Sequence, residues 1–429
     1  MTDVTSPGAG QGGPPGVSFP RVGRRAYLEE TVAHLFVTSS GISVAGRSMA
    51  MLPTASNPSL AVPRRPRRAA ATAVRLYKSS AGRGTRLGLE VLAAGLQLGA
   101  VDLLPRLRLD GAAARSGAAG QADLTGGGAD VDIVELLSAH LGQEVHIAVY
   151  SSAPRANRKP VLHVFDRLGR PLAYVKIGNT RLSSQLVVRE GETLASLRHV
   201  SLPHVVMPEL IVMDRWRDMD VMVVEPVRFS SGRPSEATLV EAMREVAQIG
   251  GVASHELAVS PYLAELRARM AAVPTGDAAT ALAHQLDQLG GLASRVVVSL
   301  GSWHGDWTPW NCSRAGRRVG LWDWERFVAG VPVGFDRLHY ALQDRVVRRK
   351  ETAPSAASAL LRDAGPLLDP FGVRRDDALT VARLYLVELG VRYLLDRQDR
   401  TGGPLGDVGA WLVPALRESM EGPVRTGPS

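Results

Sequence analysis

The stretch Trp303-His304-Gly305-Asp306-Trp307-Thr308-Pro309-Trp310-Asn311, followed by Leu321-Trp322-Asp323-Trp324-Glu325, decides how this chain is read. Asn311 lies five residues after Asp306, and Asp323 lies twelve after Asn311. That is the layout of a phosphoryl-transfer site. The first carboxylate can orient an attacking hydroxyl and accept its proton. The amide and the second carboxylate offer the oxygen donors that Mg²⁺ prefers. Between them, Asn311 to Trp322 reads as a hairpin with a polar, Gly-containing turn. Such a hairpin brings Asn311 and Asp323 side by side, as a shared metal requires. A lone His-Gly-Asp arises easily by chance, but Asn, Asp and flanking tryptophans in register do not.

These residues resemble the aminoglycoside phosphotransferase and choline kinase family, the small-molecule relatives of the protein kinases. The resemblance covers about residues 131–416 and is best supported between Trp303 and Leu342. It implies an α+β, bilobal protein-kinase-like fold, with a small mainly-β N-lobe (130–228) and a larger mainly-α C-lobe (229–420). It also implies ATP and Mg²⁺ as cofactors and a hydroxyl of a small molecule as acceptor. Asp306 is then the catalytic base, and Asn311 and Asp323 hold the metal. His304 is a loop-holding residue rather than a general base, although its intrinsic pKa would suit either role. Asp336, in Gly334-Phe335-Asp336, looks like the family's buried Asp or else a simple helix cap. Trp307, Trp310, Trp322 and Trp324 are expected mostly to pack the loop and hairpin into the large lobe.

Lys176 sits in the apolar strand Ala173-Tyr174-Val175-Lys176-Ile177 of a chain whose other lysines are Lys78, Lys159 and Lys350. An Arg-rich chain that keeps Lys there needs a compact point charge, suited to nucleotide phosphates. Its partner is Glu190 or Glu192 on the following helix; the resemblance selects Glu190, and Glu192 then faces roughly 200° away. Val224-Glu225-Pro226-Val227 follows a fifth strand, where backbone groups of Glu225 and Val227 are expected to meet adenine. A glycine-rich phosphate loop is absent between the first two strands. The segment is Ser151-Ser152-Ala153-Pro154-Arg155-Ala156-Asn157-Arg158-Lys159, so Ser151, Ser152, backbone amides or Arg155 are the candidates for that contact.

A hydrophobic content of 45% and a charged content of 21% are ordinary for a globular protein. The net charge of +8 is dispersed apart from Arg64–Arg68 and Arg345–Lys350, with no interleaved aromatics, which argues against nucleic-acid binding. The single cysteine, Cys312, excludes an internal disulfide framework and fits a reducing cytoplasm; its position suggests burial. No charged start precedes an apolar run, so no signal peptide is expected. The most apolar stretch, Leu87 to Leu104, is interrupted by Glu90, Gln97 and Asp102 and is too polar to cross a bilayer.

Residues 1–20, rich in Gly and Pro, are expected to be disordered. Residues 24–108 read as a compact α+β extension, with strands at Ser48–Leu52 and Ser59–Val62 and two helices after them. Residues 109–129 read as a Gly/Ala-rich linker. The domain 130–420 should open with a helix capped by Asp130 and stopped by Gly142. Three strands follow, then a helix from Ser184 to Arg198, then strands near Val205 and at Val221–Val224. Beyond Pro234 the chain should be mainly helical apart from the hairpin. The substrate is not specified; Glu241, Glu245, Asp344, Glu388 and Asp396 are the acidic candidates there. The alternative function is a weak or inactive kinase-like scaffold that docks a protein partner through residues 24–108. The intact set Lys176, Asp306, Asn311 and Asp323 favours the enzyme.

Overall fold

The computed structural model describes residues 24–38, 41–42, 49–52, 54, 58–77, 83–104, 131–151, 157–228, 230, 232–398 and 405–421. The tail 1–20 and the linker 109–129 lie outside the described residues. The small lobe is a seven-stranded antiparallel sheet. Its strands are β1 (Met49–Leu52), β2 (Leu60–Pro63), β3 (His146–Tyr150), β4 (Val161–Phe165), β5 (Pro171–Gly178), β7 (Leu210–Trp216) and β8 (Met219–Val224). They lie in the order β1-β2-β3-β4-β5-β8-β7.

The sheet therefore runs straight through the boundary expected between the extension and the kinase-like domain. Leu60 and Ala61 of β2 pair with Tyr150 and Val149 of β3. The reason lies in the side chains. Successive residues of a strand face opposite sides, and β1 is apolar at every position, so it must be covered on both. Met49 and Met51 join a core with helices α1 (Arg24–Phe36) and α4 (Ile133–Leu141). Ala50 and Leu52 join another with α2 (Arg67–Leu76) and α3 (Arg83–Leu98). The described part of 24–104 is thus bound into the small lobe.

Helix α4 begins two residues later than expected. Asp132, not Asp130, is its cap, accepting from the N–H groups of Val134 and Glu135, and Gly142 at φ +65° ends it. The strand near Val205 also needs correction. β6 (Val205–Val206) is not in the small-lobe sheet; it pairs in parallel with the hairpin of the large lobe, Val205 beside Val319. The small lobe instead gains β7, which pairs with β8 from Met219/Trp216 onward.

The large lobe is mainly helical, with α6 (Glu236–Ala247), α7 (Pro261–Ala271), α8 (Asp277–Leu292), α9 (Phe335–Gln343), α10 (Ala353–Arg362), α11 (Ala364–Leu368), α12 (Arg375–Leu395) and α13 (Val408–Glu421). Helix α12 is buried almost all round, from Ala378 to Val391, and forms the axis of this lobe. A three-stranded sheet of β9 (Ala253–Glu256), β10 (Val297–Trp303) and β13 (Val328–Pro332) carries the chain into the site. The hairpin β11 (Cys312–Ala315) and β12 (Arg318–Leu321) forms as expected. Its inner face, with Trp307 and Trp324, packs against α5 (Arg181–Leu197) through Val187 and Leu194, joining the two lobes by an apolar core. Among the described residues no helix is long and apolar enough to cross a membrane.

Candidate active site

The site lies where β10, the hairpin and the small-lobe sheet converge. At the end of β10 the chain turns through Gly305 at φ +82°. A Cβ there would lie 2.3 Å from the carbonyl oxygen of Arg326, so the turn admits only glycine. The turn is held from three sides. The Asp336 carboxylate accepts from the N–H groups of His304 (2.7 Å) and Gly305 (3.1 Å). Arg392 donates to the Gly305 carbonyl. His304 accepts the Asp306 N–H at Nδ1 (3.2 Å) and is left to donate from Nε2 to the Trp322 carbonyl (3.1 Å). Asp336 follows the capping residue Gly334 inside α9, so it is not the helix cap.

Both of these holding groups are fully desolvated. Burial pushes the Asp336 carboxyl up to about 7, against the two N–H groups that favour its charge. Burial lowers the His304 imidazole to about 4, which keeps it neutral and able to accept at one nitrogen.

Both oxygens of Asp306 are engaged. Asn311 Nδ2 donates to Oδ2 (2.8 Å) and to the Asp306 carbonyl (3.0 Å). His339 Nε2 lies 3.3 Å from Oδ1, with its Nδ1 3.0 Å from the Tyr385 hydroxyl. Burial raises the Asp306 carboxyl, but His339 and Arg392 together outweigh it and hold the group below its ordinary value. With Nδ2 spent on Asp306, Oδ1 is the acceptor left on the Asn311 side chain. The hairpin register, Cys312 opposite Leu321, and the bond from Trp322 N–H to the Asn311 carbonyl (3.1 Å) set Asp323 beside it. Asp323 adopts a left-handed backbone at φ +66°, which Asp tolerates better than most residues.

Helix α5 starts with a reciprocal cap between Thr180 and Ser183. Its buried positions, Leu186, Val187, Glu190, Gly191, Leu194 and Leu197, recur at helical spacing, and Glu192 is exposed. Glu190 therefore faces the sheet, where both of its oxygens take up Lys176 Nζ at 2.6 and 2.7 Å. Lys176 also contacts Asp323. Burial would lower the Lys176 pKa, but Asp323, Glu190 and Glu325 outweigh it and hold the ammonium above its ordinary value.

The geometry thus brings Lys176, Glu190, Asp306, Asn311 and Asp323 together, with His304 and Asp336 behind the loop. Glu225 and Val227 follow β8 where the lobes meet. The Glu225 N–H is already given to the Glu209 carbonyl (2.8 Å). Of the proposed phosphate contacts, Ser151 is turned inward: it is buried and accepts from Arg158, whose guanidinium stacks 3.5 Å from the Tyr27 ring. Ser152 and Arg155 lie outside the described residues. The five acidic candidates in the large lobe are all paired within the chain: Glu241 with Arg244, Glu245 with His204, Asp344 with Arg348 and Arg349, Glu388 with Arg269, and Asp396 with Arg326. Four residues at the site had no role in the sequence reading: His339, Arg392, Lys159 and Glu325.

No protein-family model and no curated protein matches the sequence. Solved structures resemble the chain in fold. A thermostable mutant of an aminoglycoside phosphotransferase, in complex with ADP and hygromycin B, is 13% identical with a TM-score of 0.45, covering 68% of this chain and 99% of that one. The choline kinase of Streptococcus pneumoniae is 15% identical at a TM-score of 0.42, covering 67% and 96%. An amicoumacin kinase in complex with AMP-PNP and Ca²⁺ is 16% identical at 0.39, covering 64% and 90%. These identities and scores are low, so the functional reading stands on the chain's own site.

Proposed function

We propose that this protein is an ATP- and Mg²⁺-dependent small-molecule kinase, transferring the γ-phosphoryl group of ATP to a hydroxyl. The convergence of Asp306, Asn311, Asp323 and the Lys176–Glu190 pair, drawn from a strand, a helix and two loops, carries the reading.

The donor set fits the cofactors. Asn311 Oδ1 and the Asp323 carboxylate are oxygen donors, and among the described residues no group of three or more His, Cys, Asp or Glu side chains forms a full cage. Mg²⁺ is commonly held in this way, by one or two protein oxygens with phosphates and waters completing its shell. Bound ATP and Mg²⁺ would supply the transferable phosphoryl group and neutralise charge as it moves. Lys176, held by Glu190, is positioned for the phosphates once Asp323 turns to the metal. The Glu225 carbonyl, rather than its occupied N–H, and the Val227 backbone are the groups for adenine.

Asp306 does the proton work. As the acceptor's oxygen bonds to the γ-phosphorus, the bond to the β–γ bridging oxygen breaks and ADP leaves. The hydroxyl proton passes to the Asp306 carboxylate, whose depressed pKa keeps it charged and ready at neutral pH. Asn311 and His339 fix the carboxylate's direction, so the rate comes from placement rather than from a covalent intermediate. The lone buried Cys312 accords with a reducing, cytoplasmic setting.

The test is ADP release over a panel of hydroxylated small molecules, sugars and antibiotics, with wild type and Asp306→Asn. Acceptor-dependent ADP release that drops by orders of magnitude in the variant supports the proposal. Equal release by both proteins would remove Asp306 from the chemistry, and no acceptor-dependent release alongside no MgATP binding would sink the kinase reading.

A further inference from the structure

Lys159 forms an ion pair with Glu325 across 166 residues of chain, linking the small lobe to the segment just after Asp323. Both side chains are withdrawn from solvent, at 10% and 4% exposure. The sheet register explains how Lys159 arrives there. Val161 of β4 pairs with Lys176 of β5, and the Ile177 N–H donates to the Pro160 carbonyl. Cross-strand partners share a face, and residues two apart along a strand share a face. Lys159 therefore approaches the same side of the sheet as Lys176. It also sits in the segment joining β3 to β4, where no glycine-rich loop is available to cover phosphates.

The two lysines differ in how their donors are spent. An ammonium has three N–H donors. Lys176 uses them on both oxygens of Glu190 and on Asp323. Among the described residues Lys159 donates to Glu325 alone. Glu325 is buried and would be costly to leave unpaired, so it anchors Lys159 in place instead of releasing it.

Resting on the kinase reading above, we infer that Lys159 is a second phosphate-binding lysine, pinned over the nucleotide's phosphate chain by Glu325. It does the work that backbone amides of a glycine-rich loop would otherwise do. The site then holds two lysine–glutamate pairs, Lys176–Glu190, which also meets Asp323, and Lys159–Glu325, whose glutamate follows Asp323 by two residues. Because Lys159 and Glu325 come from different lobes, the second pair also fixes the distance between them at the point where phosphates enter.

The experiment is calorimetric titration of the full-length chain with MgATP, ADP and AMP. The variants are Lys159→Met, Glu325→Gln and the double variant Lys159→Met/Glu325→Met. The double variant replaces the pair with apolar side chains and strands no buried charge, so it keeps the test alive if a single variant fails to fold. Loss of a charge-assisted contact predicts about 10- to 100-fold weaker ATP and ADP binding. Lys159→Met and the double variant should both show it, while AMP, which lacks the β-phosphate, changes far less. Glu325→Gln should weaken ATP and ADP in the same direction. Unchanged ATP and ADP affinity in Lys159→Met, with wild type binding normally, would overturn the inference and leave the kinase reading intact. Tighter binding in Glu325→Gln would show Glu325 competing for the lysine, which overturns the anchoring. Absence of MgATP binding by wild type would overturn both readings together.

Discussion

His339 Nε2 stands 3.3 Å from Oδ1 of Asp306, and both of its ring nitrogens have partners because Nδ1 meets the Tyr385 hydroxyl at 3.0 Å. Burial lowers the His339 pKa despite Asp306 beside it, so the ring is neutral at neutral pH and acts by hydrogen bonding. Removing it, as in His339→Leu, takes away the principal group that opposes desolvation of Asp306. The Asp306 pKa should then rise. Activity that needs ionised Asp306 should fail at a higher pH on acidification, moving the acid limb of the kcat/KM profile upward. His339→Gln, which can still donate, should restore much of the original position. An acid limb that stays put while kcat falls would mean that His339 serves packing alone.

His304 predicts how the fold responds to acid. Its folded pKa, about 4, lies below the 6.5 of an unperturbed imidazole. The unfolded chain therefore binds the extra proton first, so stability is full above about pH 6.5 and falls as the pH drops toward 4. A displacement of that size corresponds to about 3 kcal/mol at most. Chemical denaturation between pH 7 and 4 should show a shallower decline in His304→Gln than in wild type. Parallel slopes for the two proteins would count against this assignment.

Asp323 separates metal binding from backbone geometry. Its φ of +66° is one that Asn also adopts, whereas a β-branched residue resists it. Asp323→Asn should leave the melting temperature within a few degrees of wild type but weaken MgATP binding about tenfold or more. Asp323→Val should cost about 1–2 kcal/mol of stability in addition. Equal MgATP affinity in wild type and Asp323→Asn would take this carboxylate out of the metal site.

Cys312 is buried, and burial pushes its thiol up to about 12. The thiolate is the reactive species, so a disulfide reagent should leave the folded protein unmodified and label a single thiol once urea unfolds it. Fast labelling of the native protein would mean that the hairpin opens readily.

The bilobal α+β class was legible in the sequence, and so was the placement of those candidate residues that local structure brings together. Asp306, Asn311 and Asp323 are legible because one turn and one hairpin place them, and both are local. The family resemblance, not the helix pattern, selected Glu190 over Glu192; in the structure Glu190 lies on the buried face of α5 and Glu192 is exposed. What escaped depends on contacts between distant segments. His339 follows Asp306 by 33 residues, and Lys159 and Glu325 are 166 apart, so no local pattern pairs them. The scarcity of lysine was the available signal for Lys159, and its in-phase position relative to Val161 needed the register to become meaningful. β7 was missed because it is an outermost strand of half-buried residues with little alternation, Leu210 to Trp216. β6 was misplaced because two valines announce a strand without naming its neighbour.

The join between β2 and β3 bears on how this protein can be shortened. A chain begun at residue 130, where the kinase-like domain was expected to start, would strip β1 and β2 from the sheet. It would bare the backbone of β3 at Val149 and Tyr150 together with the apolar faces of Ala148 and Phe165. An open sheet edge of this kind is a template for pairing with other copies. Such a truncate should go to oligomers and precipitate even with every residue of the site intact.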